Sequence, residues 1–385
     1  MITSTFPAWP GDGTPSFVAD LGVSLSKRLD ISVLAPRVRG QRGSWPELDL
    51  HRFRYFPSPW EGLADNAIVP ALREAPRRWA EVPPFFGSMT VSAGLLLDSL
   101  RVRLINAHWL LPGGMAALAA RRFRDVPIAV TAHGADVHAL SGLAGSAAKR
   151  AVLRHVELII PVSHSIRSAL IELLPSCASR ITEPVPMGTL QEPMTQPSIR
   201  SPNEFLIVAR LAEKKGVETA VRAFESVDDA RLLIIGDGPE MKRLKALCAQ
   251  LQVGDRIRFL GQQTKEVVTA RMRQCSAVVI PSVRSRDGDT DGTPVVLAEA
   301  MANGAPVIAS AIGGLSEQIR HQQTGFLFRP GDVDQLAELV RSVIDRPELL
   351  KESSERAAQD FSGSPLDMNE TARKYYELLS PLMSA

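Results

Sequence analysis

The chain has few cysteines, no long apolar run and almost no net charge. Its three cysteines, Cys177, Cys248 and Cys275, follow no metal-like spacing, which argues against a disulfide framework or a structural zinc site and favours a reducing compartment. No window reaches ~18 uninterrupted apolar residues, and residues 1–7 lack the basic and apolar parts of a signal peptide. A net charge of +2 is too small to indicate nucleic acid as the main partner. We therefore expect a cytoplasmic protein with no membrane-spanning helix.

A length of 385 residues suits two α/β domains better than one. Short apolar runs alternate with helix-period segments along nearly the whole chain, which is typical of βαβ units and parallel sheets. The aperiodic, proline-rich run at 184–202 predicts a linker. We expect a first Rossmann-like domain at 1–190 and a second at 200–365, with a C-terminal helix within 366–385 packing back on the first. The predicted strands are 31–35, 103–107, 128–132, 158–162, 205–209, 232–236, 257–260, 277–281 and 306–310, besides a short first strand at 1–4.

One stretch of the first domain, residues 37–90, mixes arginine, tryptophan, proline and phenylalanine, as in Arg77-Arg78-Trp79. Tryptophan and arginine suit an interface that is half apolar and half wet, so this stretch is a candidate for peripheral membrane contact at the inner membrane face or for covering an acceptor. The alternative is a pair of helices packed on the domain through proline-rich connections.

Ligands of open α/β sheets bind beyond the carboxyl ends of the strands, so residues just after strands are the candidate site. In the first domain, His133 follows a predicted strand directly, with Gly134 and Asp136 next to it. A histidine there can hydrogen-bond a substrate hydroxyl, although a lone histidine is more often structural. The run 106–109, Asn-Ala-His-Trp, ends the preceding strand and is expected at the same crevice. Gly13, in the loop 11–14 before the first helix, permits close approach of a pyrophosphate or forms an ordinary turn.

Two cations follow the first strand of the second domain. Arg210 and Lys215 stand five residues apart in a strand–helix loop. They can converge on a diphosphate, the arginine as a planar fork and the lysine as a point charge. A solvated basic turn is the competing interpretation.

The acidic loop 287–293 is the most informative segment of the chain. It ends where Thr293 and Pro294 begin a helix whose free N–H groups can receive a phosphate or sugar oxygen. Asp291 stands before this helix and Glu299 about one turn inside it, so the two carboxylates can grip separate parts of a polyhydroxylated ligand. A calcium loop is rejected because the glycine and glutamate are out of register for an EF-hand.

With these residues in place, the sequence resembles family 4 of the retaining glycosyltransferases, which have the GT-B fold. The pattern of a carboxylate, seven residues and Glu299, followed by 300–307 (Ala-Met-Ala-Asn-Gly-Ala-Pro-Val), is its most specific element. His133-Gly134, the run 208–211, Lys215-Gly216 and the run 313–317 match in order. The run 106–114 looks like the branch acting on bacterial surface polysaccharides.

The resemblance implies two Rossmann-like domains facing across a cleft and a metal-independent enzyme without cofactor. Arg210 and Lys215 would bind the donor diphosphate, Glu299 the ribose, and Asp291 the hydroxyls of the transferred sugar. His133 would lie near the anomeric carbon, and Gly13 would border the diphosphate. The remaining donor-binding positions in the loop and helix start are Gly292, Thr293 and Val295. The family normally has glutamate where this chain has Asp291, a side chain one methylene shorter.

The expected function is transfer of a sugar from a nucleotide-sugar donor to a saccharide or lipid-linked acceptor with retention of configuration, in polysaccharide biosynthesis. Three alternatives stay open. Two are enzymes on the same fold, a sugar-nucleotide epimerase and a phosphorylase. The third is a degenerate glycosyltransferase that serves as a binding or scaffold subunit, which the aspartate at position 291 makes conceivable.

Overall fold

The computed structural model describes residues 1–10, 12, 14, 16–41, 45–58, 60–65, 68, 71–72, 75–140, 142–191, 200–286 and 288–383. The chain forms two compact units. The first comprises Met1–Pro186 and Met368–Ala385, and the second comprises Met187–Asp367.

The sheet of the first unit is parallel throughout its described strands. β1 pairs with β2, and β3, β4 and β5 follow one another in order. Ile2 bridges both Leu34 in β1 and Ala107 in β3. The segment 1–4 thus lies between two strands, in the interior of the sheet rather than at its edge. The strands are β1 (Ser32–Pro36), β2 (Asp49–Phe53), β3 (Ile105–His108), β4 (Ile128–Ala132) and β5 (Leu158–Pro161).

Helices connect these strands and cover the sheet. α6 begins after Ser163, whose hydroxyl accepts the N–H of Ile166 and so caps the helix. The C-terminal helix α14 belongs to this unit, since it packs on α1 and its Tyr375 hydroxyl lies 3.0 Å from the Thr131 hydroxyl in β4. The helices of the unit are α1 (Phe17–Ser26), α2 (Val82–Ser99), α3 (Met115–Ala120), α4 (Ala135–His138), α5 (Leu143–His155), α6 (His164–Leu173) and α14 (Met368–Met383).

The second unit has a six-stranded parallel sheet with the order β11-β10-β9-β6-β7-β8. The order reverses between β6 and β9, so the loops after these two strands flank the switch point where ligands of such sheets bind. The strands are β6 (Glu204–Val208), β7 (Arg231–Ile235), β8 (Ile257–Gly261), β9 (Ala277–Ile280), β10 (Val307–Ser310) and β11 (Phe326–Phe328).

Strands β6, β7, β9 and β10 of the second unit are buried on both faces, as parallel strands usually are, whereas the edge strand β8 is buried only at Ile257. Phe205 and Ile207 face one apolar core, while Leu206 faces another on the opposite side of the sheet. The covering helices are α7 (Val217–Glu225), α8 (Met241–Gln250), α9 (Lys265–Gln274), α10 (Val295–Ala302), α11 (Gly314–Gln318), α12 (Val333–Asp345) and α13 (Pro347–Phe361).

The structure adds two strands that the sequence pattern did not indicate, and it gives the stretch 37–90 part of the helical structure that the alternative interpretation expected. The stretch 37–90, which has no clear period in the sequence, contains β2, a 3-10 helix at Pro76–Glu81 and the start of α2. β11, a strand of three residues, was also not predicted. No helix in the described part of the chain is both long and apolar enough to span a bilayer.

Candidate functional site

Two loops of the second unit meet at a close backbone contact. Gly216 ends the loop after β6 with φ +60°, and a Cβ placed on it would lie 1.8 Å from the carbonyl oxygen of Pro281, just after β9. The Val283 N–H also donates to the Lys214 carbonyl at 2.8 Å. A glycine is needed here because both its left-handed conformation and this approach exclude a side chain. The contact brings the predicted cation loop against the predicted acidic loop.

Four charged side chains cluster where these loops meet. The Lys215 ammonium donates to Asp291 Oδ2 at 2.7 Å, and Lys214 lies 3.5 Å from Asp291 Oδ1 and 3.0 Å from Asp289 Oδ2. The hydroxyl of Ser282, a buried residue, donates to Asp291 Oδ2 at 3.3 Å. Two lysines and two aspartates thus balance one another's charge. We call Lys214, Lys215, Asp289 and Asp291 the charge cluster.

The two lysines keep Asp291 ionised. Its side chain is 12% exposed, and burial alone would raise its pKa. Lys215 and Lys214 outweigh burial, so the pKa of Asp291 lies below its usual value. Burial likewise lowers the pKa of Lys214, but Asp291 and Asp289 together raise it above the usual lysine value. Both partners therefore remain charged at neutral pH.

The other predicted donor residues of this unit lie at the same edge of the sheet. Arg210 follows β6 by two residues, and Glu299 is the fifth residue of α10. Both side chains are half-buried. α10 begins at Val295 after Pro294, which makes no side-chain cap. The Leu297 N–H donates to the Pro294 carbonyl at 3.0 Å, so the N–H groups of Val295 and Val296 are the candidates for a ligand.

Gly292 and Thr293, just before α10, contact Gly314 at the start of α11, the helix that follows β10. The Gly292 carbonyl accepts the N–H of Gly314 at 2.7 Å. A Cβ on Gly314 would lie 2.0 Å from the Thr293 hydroxyl oxygen. The start of α10 is therefore packed firmly against the start of α11.

In the first unit, His133 lies among aromatic rings at the end of β4. Its ring centroid is 4.7 Å from that of Trp109 and 5.0 Å from that of Phe17. His133 Nε2 lies 3.0 Å from Nδ1 of His108, a buried residue in β3. The expected meeting of the run 106–109 with His133 is therefore observed. Since Nε2 contacts His108, Nδ1 is the ring nitrogen left to face a ligand.

The Asp136 carboxylate holds the backbone around His133 in place. Its carboxylate accepts the N–H groups of Leu110 at 2.8 Å, His133 at 3.0 Å and Gly134 at 2.9 Å. Gly134 has φ +118°, which only glycine adopts readily. Burial raises the pKa of Asp136 more than these N–H groups lower it, so the pKa lies above its usual value. Burial lowers the pKa of His133 to about 3, so its ring is neutral at neutral pH.

Sequence reasoning left some site residues without a role, and one predicted residue lies outside the described part of the chain. Lys214 and Ser282 contact Asp291, and Asp289 contacts Lys214. The sequence indicated an acidic loop here, but it did not indicate these pairs. Gly13 lies outside the described residues. Of its loop, Asp12 is described and accepts the N–H groups of Ala8 and Thr14.

Comparison with protein families matches both units. The description "Glycosyltransferase Family 4" matches residues 11–183, and "Glycosyl transferases group 1" matches residues 192–360. A protein of Salmonella typhimurium named as a colanic acid biosynthesis glycosyltransferase is 30% identical over 267 residues, 65% of this chain and 65% of that protein. The alignment thus spans just under two thirds of that relative. Glycogen synthase of Mycobacterium tuberculosis is 30% identical over 293 residues, 71% of this chain and 69% of that enzyme.

Solved structures match over the whole length. A sucrose-phosphate synthase from Thermosynechococcus elongatus superposes with a TM-score of 0.80 at 20% identity, covering 100% of this chain and 99% of that one. Anabaena HepE, solved with UDP and glucose, gives a TM-score of 0.73 at 18% identity, covering 98% of this chain and 99% of that one. These neighbours establish the predicted GT-B fold. The two family matches, together with the 30% identity to the glycogen synthase over 69% of its length, show that the chain belongs to family 4 of the glycosyltransferases.

Proposed function

We propose that the protein transfers a sugar from a nucleoside diphosphate sugar to a saccharide or lipid-linked saccharide, with retention of configuration, in the biosynthesis of a polysaccharide. The observation that carries this proposal is the meeting of the two loops at Gly216, which gathers Lys215 and Asp291 beside the start of α10. The named roles of the colanic acid relative and of the amylovoran biosynthesis glycosyltransferase of Erwinia amylovora support the polysaccharide as product class.

In this proposal Arg210 and Lys215 bind the diphosphate of the donor. The N–H groups of the first turn of α10 add a favourable dipole for the leaving phosphate. As the sugar–phosphate bond breaks, negative charge grows on the leaving oxygen, and preorganised cations stabilise it. Because the cations are supplied by side chains, the transfer is expected to need no metal, so EDTA should leave the rate unchanged.

Glu299 binds the ribose and Asp291 the hydroxyls of the transferred sugar in the same proposal. His133, neutral and held by Asp136 and His108, offers Nδ1 to the sugar near its anomeric carbon. The acceptor hydroxyl then attacks from the face that the diphosphate leaves and gives its proton to the leaving phosphate oxygen, which retains the configuration. We assign no protein nucleophile. Anomeric configuration of the product, measured by NMR coupling constants, tests retention directly.

Donor binding is tested by thermal stabilisation with a panel of nucleoside diphosphates and their sugars. A ligand that binds only the folded protein raises the melting temperature. We begin with UDP, because HepE was solved with it. We expect a shift with one nucleotide that is lost in Arg210→Ala and in Glu299→Ala, and retained in Arg356→Ala, an exposed arginine on α13 of the same unit. Full transfer activity in Arg210→Ala would reject its assignment to the diphosphate.

We further propose that the first unit meets a lipid-linked acceptor at an anionic membrane surface through α2. This helix carries no charged residue before Asp98, and its outward side chain Leu95 is 62% exposed. Phe123, 54% exposed, lies against Gly94 of the same helix and extends the apolar surface. Exposed arginines stand near both ends of the helix, such as Arg77 and Arg101. Apolar side chains framed by cations suit anionic headgroups.

Co-sedimentation with vesicles tests this surface. We expect binding to phosphatidylglycerol vesicles, weaker binding to phosphatidylcholine vesicles, and loss of binding in Leu95→Asp. Val267→Asp, an exposed valine of the second unit, serves as the matched control and should still bind. If wild type fails to sediment with either vesicle, or Leu95→Asp sediments like wild type, this surface is not the lipid contact.

A binding or scaffold subunit without activity is the second candidate. It is favoured by one observation, that the Asp291 carboxylate contacts both lysines and so has part of its capacity for sugar hydroxyls taken up. Nucleotide binding without turnover against any acceptor would support this candidate over the enzyme.

A further inference from the structure

Asp291 has two lysine partners, and the proposed function uses only one of them. Lys215 makes the shorter contact, 2.7 Å to Oδ2, and Lys214 lies 3.5 Å from Oδ1. The two lysines therefore address different oxygens of the same carboxylate. One can leave without displacing the other.

Binding of a diphosphate disturbs this arrangement. A phosphate oxygen competes with Asp291 for the Lys215 ammonium, and a lysine that turns to the ligand withdraws from the carboxylate. A largely buried carboxylate without a cation is strongly unfavourable, and it escapes by taking up a proton. A protonated Asp291 would no longer be an acceptor-only group for sugar hydroxyls.

We propose that Lys214 is a positioning residue, which holds the Asp291 carboxylate ionised and oriented once Lys215 is engaged by the diphosphate of the donor. This inference rests on the proposed function, in which Lys215 binds that diphosphate. It assigns Lys214 a role that appears only when the donor is bound.

The surroundings of Lys214 suit this role. Its carbonyl oxygen is fixed by the Val283 N–H at 2.8 Å, and its ammonium also contacts Asp289 at 3.0 Å. Asp289 is held in turn, because its carbonyl accepts both the N–H and the hydroxyl of Ser285 at 2.9 Å. Only 22% of the Lys214 side chain is exposed. The backbone of Lys214 is therefore held at its carbonyl and its ammonium is held by Asp289, and neither contact involves Lys215.

A purely mechanical role is the competing explanation, because Lys214 joins the loop after β6 to the loop after β9. The chain offers a matched control for it. Arg286 joins the same two loops through Glu213, with Arg286 Nε 3.4 Å from the Glu213 carboxylate. Asp291 is contacted by Lys214, Lys215 and Ser282, so Arg286→Met loosens the loops without removing a partner of Asp291.

The test is a carboxyl ¹³C NMR titration of the full-length protein, with the Asp291 signal identified by its loss in Asp291→Asn. Lys215→Met imitates a lysine drawn away from Asp291. We expect its Asp291 to titrate about one pH unit or more below that of the Lys214→Met, Lys215→Met double variant, the usual effect of one nearby opposite charge. Equal values in the two would overturn the proposal. So would a shift in Arg286→Met as large as that in Lys214→Met.

Inorganic pyrophosphate then stands in for the donor. At saturation it should raise the Asp291 pKa in Lys214→Met by about one pH unit more than in wild type, and Lys214→Arg should restore the wild-type response. An equal response in wild type and Lys214→Met would overturn the role of Lys214. Absence of pyrophosphate binding to wild type in calorimetry would instead reject Lys215 as the diphosphate ligand, and the proposed function with it.

Discussion

Replacing Gly216 by alanine tests the contact on which the whole site of the second unit depends. Two costs add at this position. The residue has φ +60°, where an L-residue pays about 1–2 kcal/mol. Its new Cβ would also lie 1.8 Å from the Pro281 carbonyl oxygen, so the two loops must move apart and the Val283–Lys214 hydrogen bond is strained. Losing that bond costs about 1 kcal/mol more.

The two costs together predict a loss of about 2–3 kcal/mol, or a fall of roughly 4–12 °C in melting temperature for a unit of this size. Two other glycines of the same unit separate the contributions. Gly261 has φ +67°, and a Cβ placed on it would meet nothing within 4 Å, so Gly261→Ala should show the conformational cost alone. Gly254 has open space and lies outside the left-handed region, so Gly254→Ala should be neutral or slightly stabilising.

Calorimetry and urea unfolding of the four proteins give the comparison, with stabilisation by UDP as the functional readout. We expect the nucleotide shift to survive in Gly254→Ala and to be lost in Gly216→Ala, because Lys215 and Asp291 are drawn apart. If Gly216→Ala is no less stable than Gly261→Ala, the close approach to Pro281 has no energetic weight, and the argument that it builds the site is refuted.

Three further changes probe the first unit by urea unfolding. Ser163→Ala removes the cap on the Ile166 N–H and should cost about 1 kcal/mol; no loss would deny the cap. Asp136→Asn removes a carboxylate that accepts three N–H groups and should cost about 2–3 kcal/mol, whereas Asp125→Asn, 93% exposed, should cost nothing. The pKa of His133 falls from 6.5 unfolded to about 3 folded, so the unfolded chain binds the proton first and stability drops as pH falls below 6.5. His133→Phe should therefore lose less stability than wild type between pH 7 and 5, and an equal loss would contradict the lowered pKa.

The fully buried strand β4 could be predicted from the sequence, and the partly exposed strand β2 could not. β4 was predicted with its observed bounds, 128–132, because all five of its residues are buried and apolar or β-branched. β2, Asp-Leu-His-Arg-Phe, was not predicted since only Phe53 is fully buried and the charged positions break any alternation. β11 has three residues, too few to show a period.

The helix α2 was covered only by the alternative of a pair of helices within 37–90, and its bounds were not predicted for another reason. Its first three residues are Val82, Pro83 and Pro84, and it contains Gly87 and Gly94; the prolines and glycines all lower helix propensity. The prolines stand in the first turn, where the missing N–H costs nothing. Gly94 is required by its neighbour, because a Cβ there would lie 2.4 Å from the ring of Phe123. Packing that joins residues 29 apart in sequence decided this element, and local propensity could not reveal it.

The charge cluster shows the same limit within the site. The rule that ligands bind at strand ends brought Lys215 and Asp291 to one edge of the sheet, but it could not pair side chains from loops more than seventy residues apart. Nor could it separate adjacent lysines: Lys214 and Lys215 share one basic turn, yet the 3-10 geometry of Glu213–Lys215 sends them to different oxygens of one carboxylate. Asp291 is one methylene shorter than the glutamate usual in the family, and in this chain two cations and a buried serine hydroxyl reach it. The shorter acid is therefore held by these three partners, and in the proposed function its consequence for sugar binding depends on Lys214 as much as on Asp291 itself.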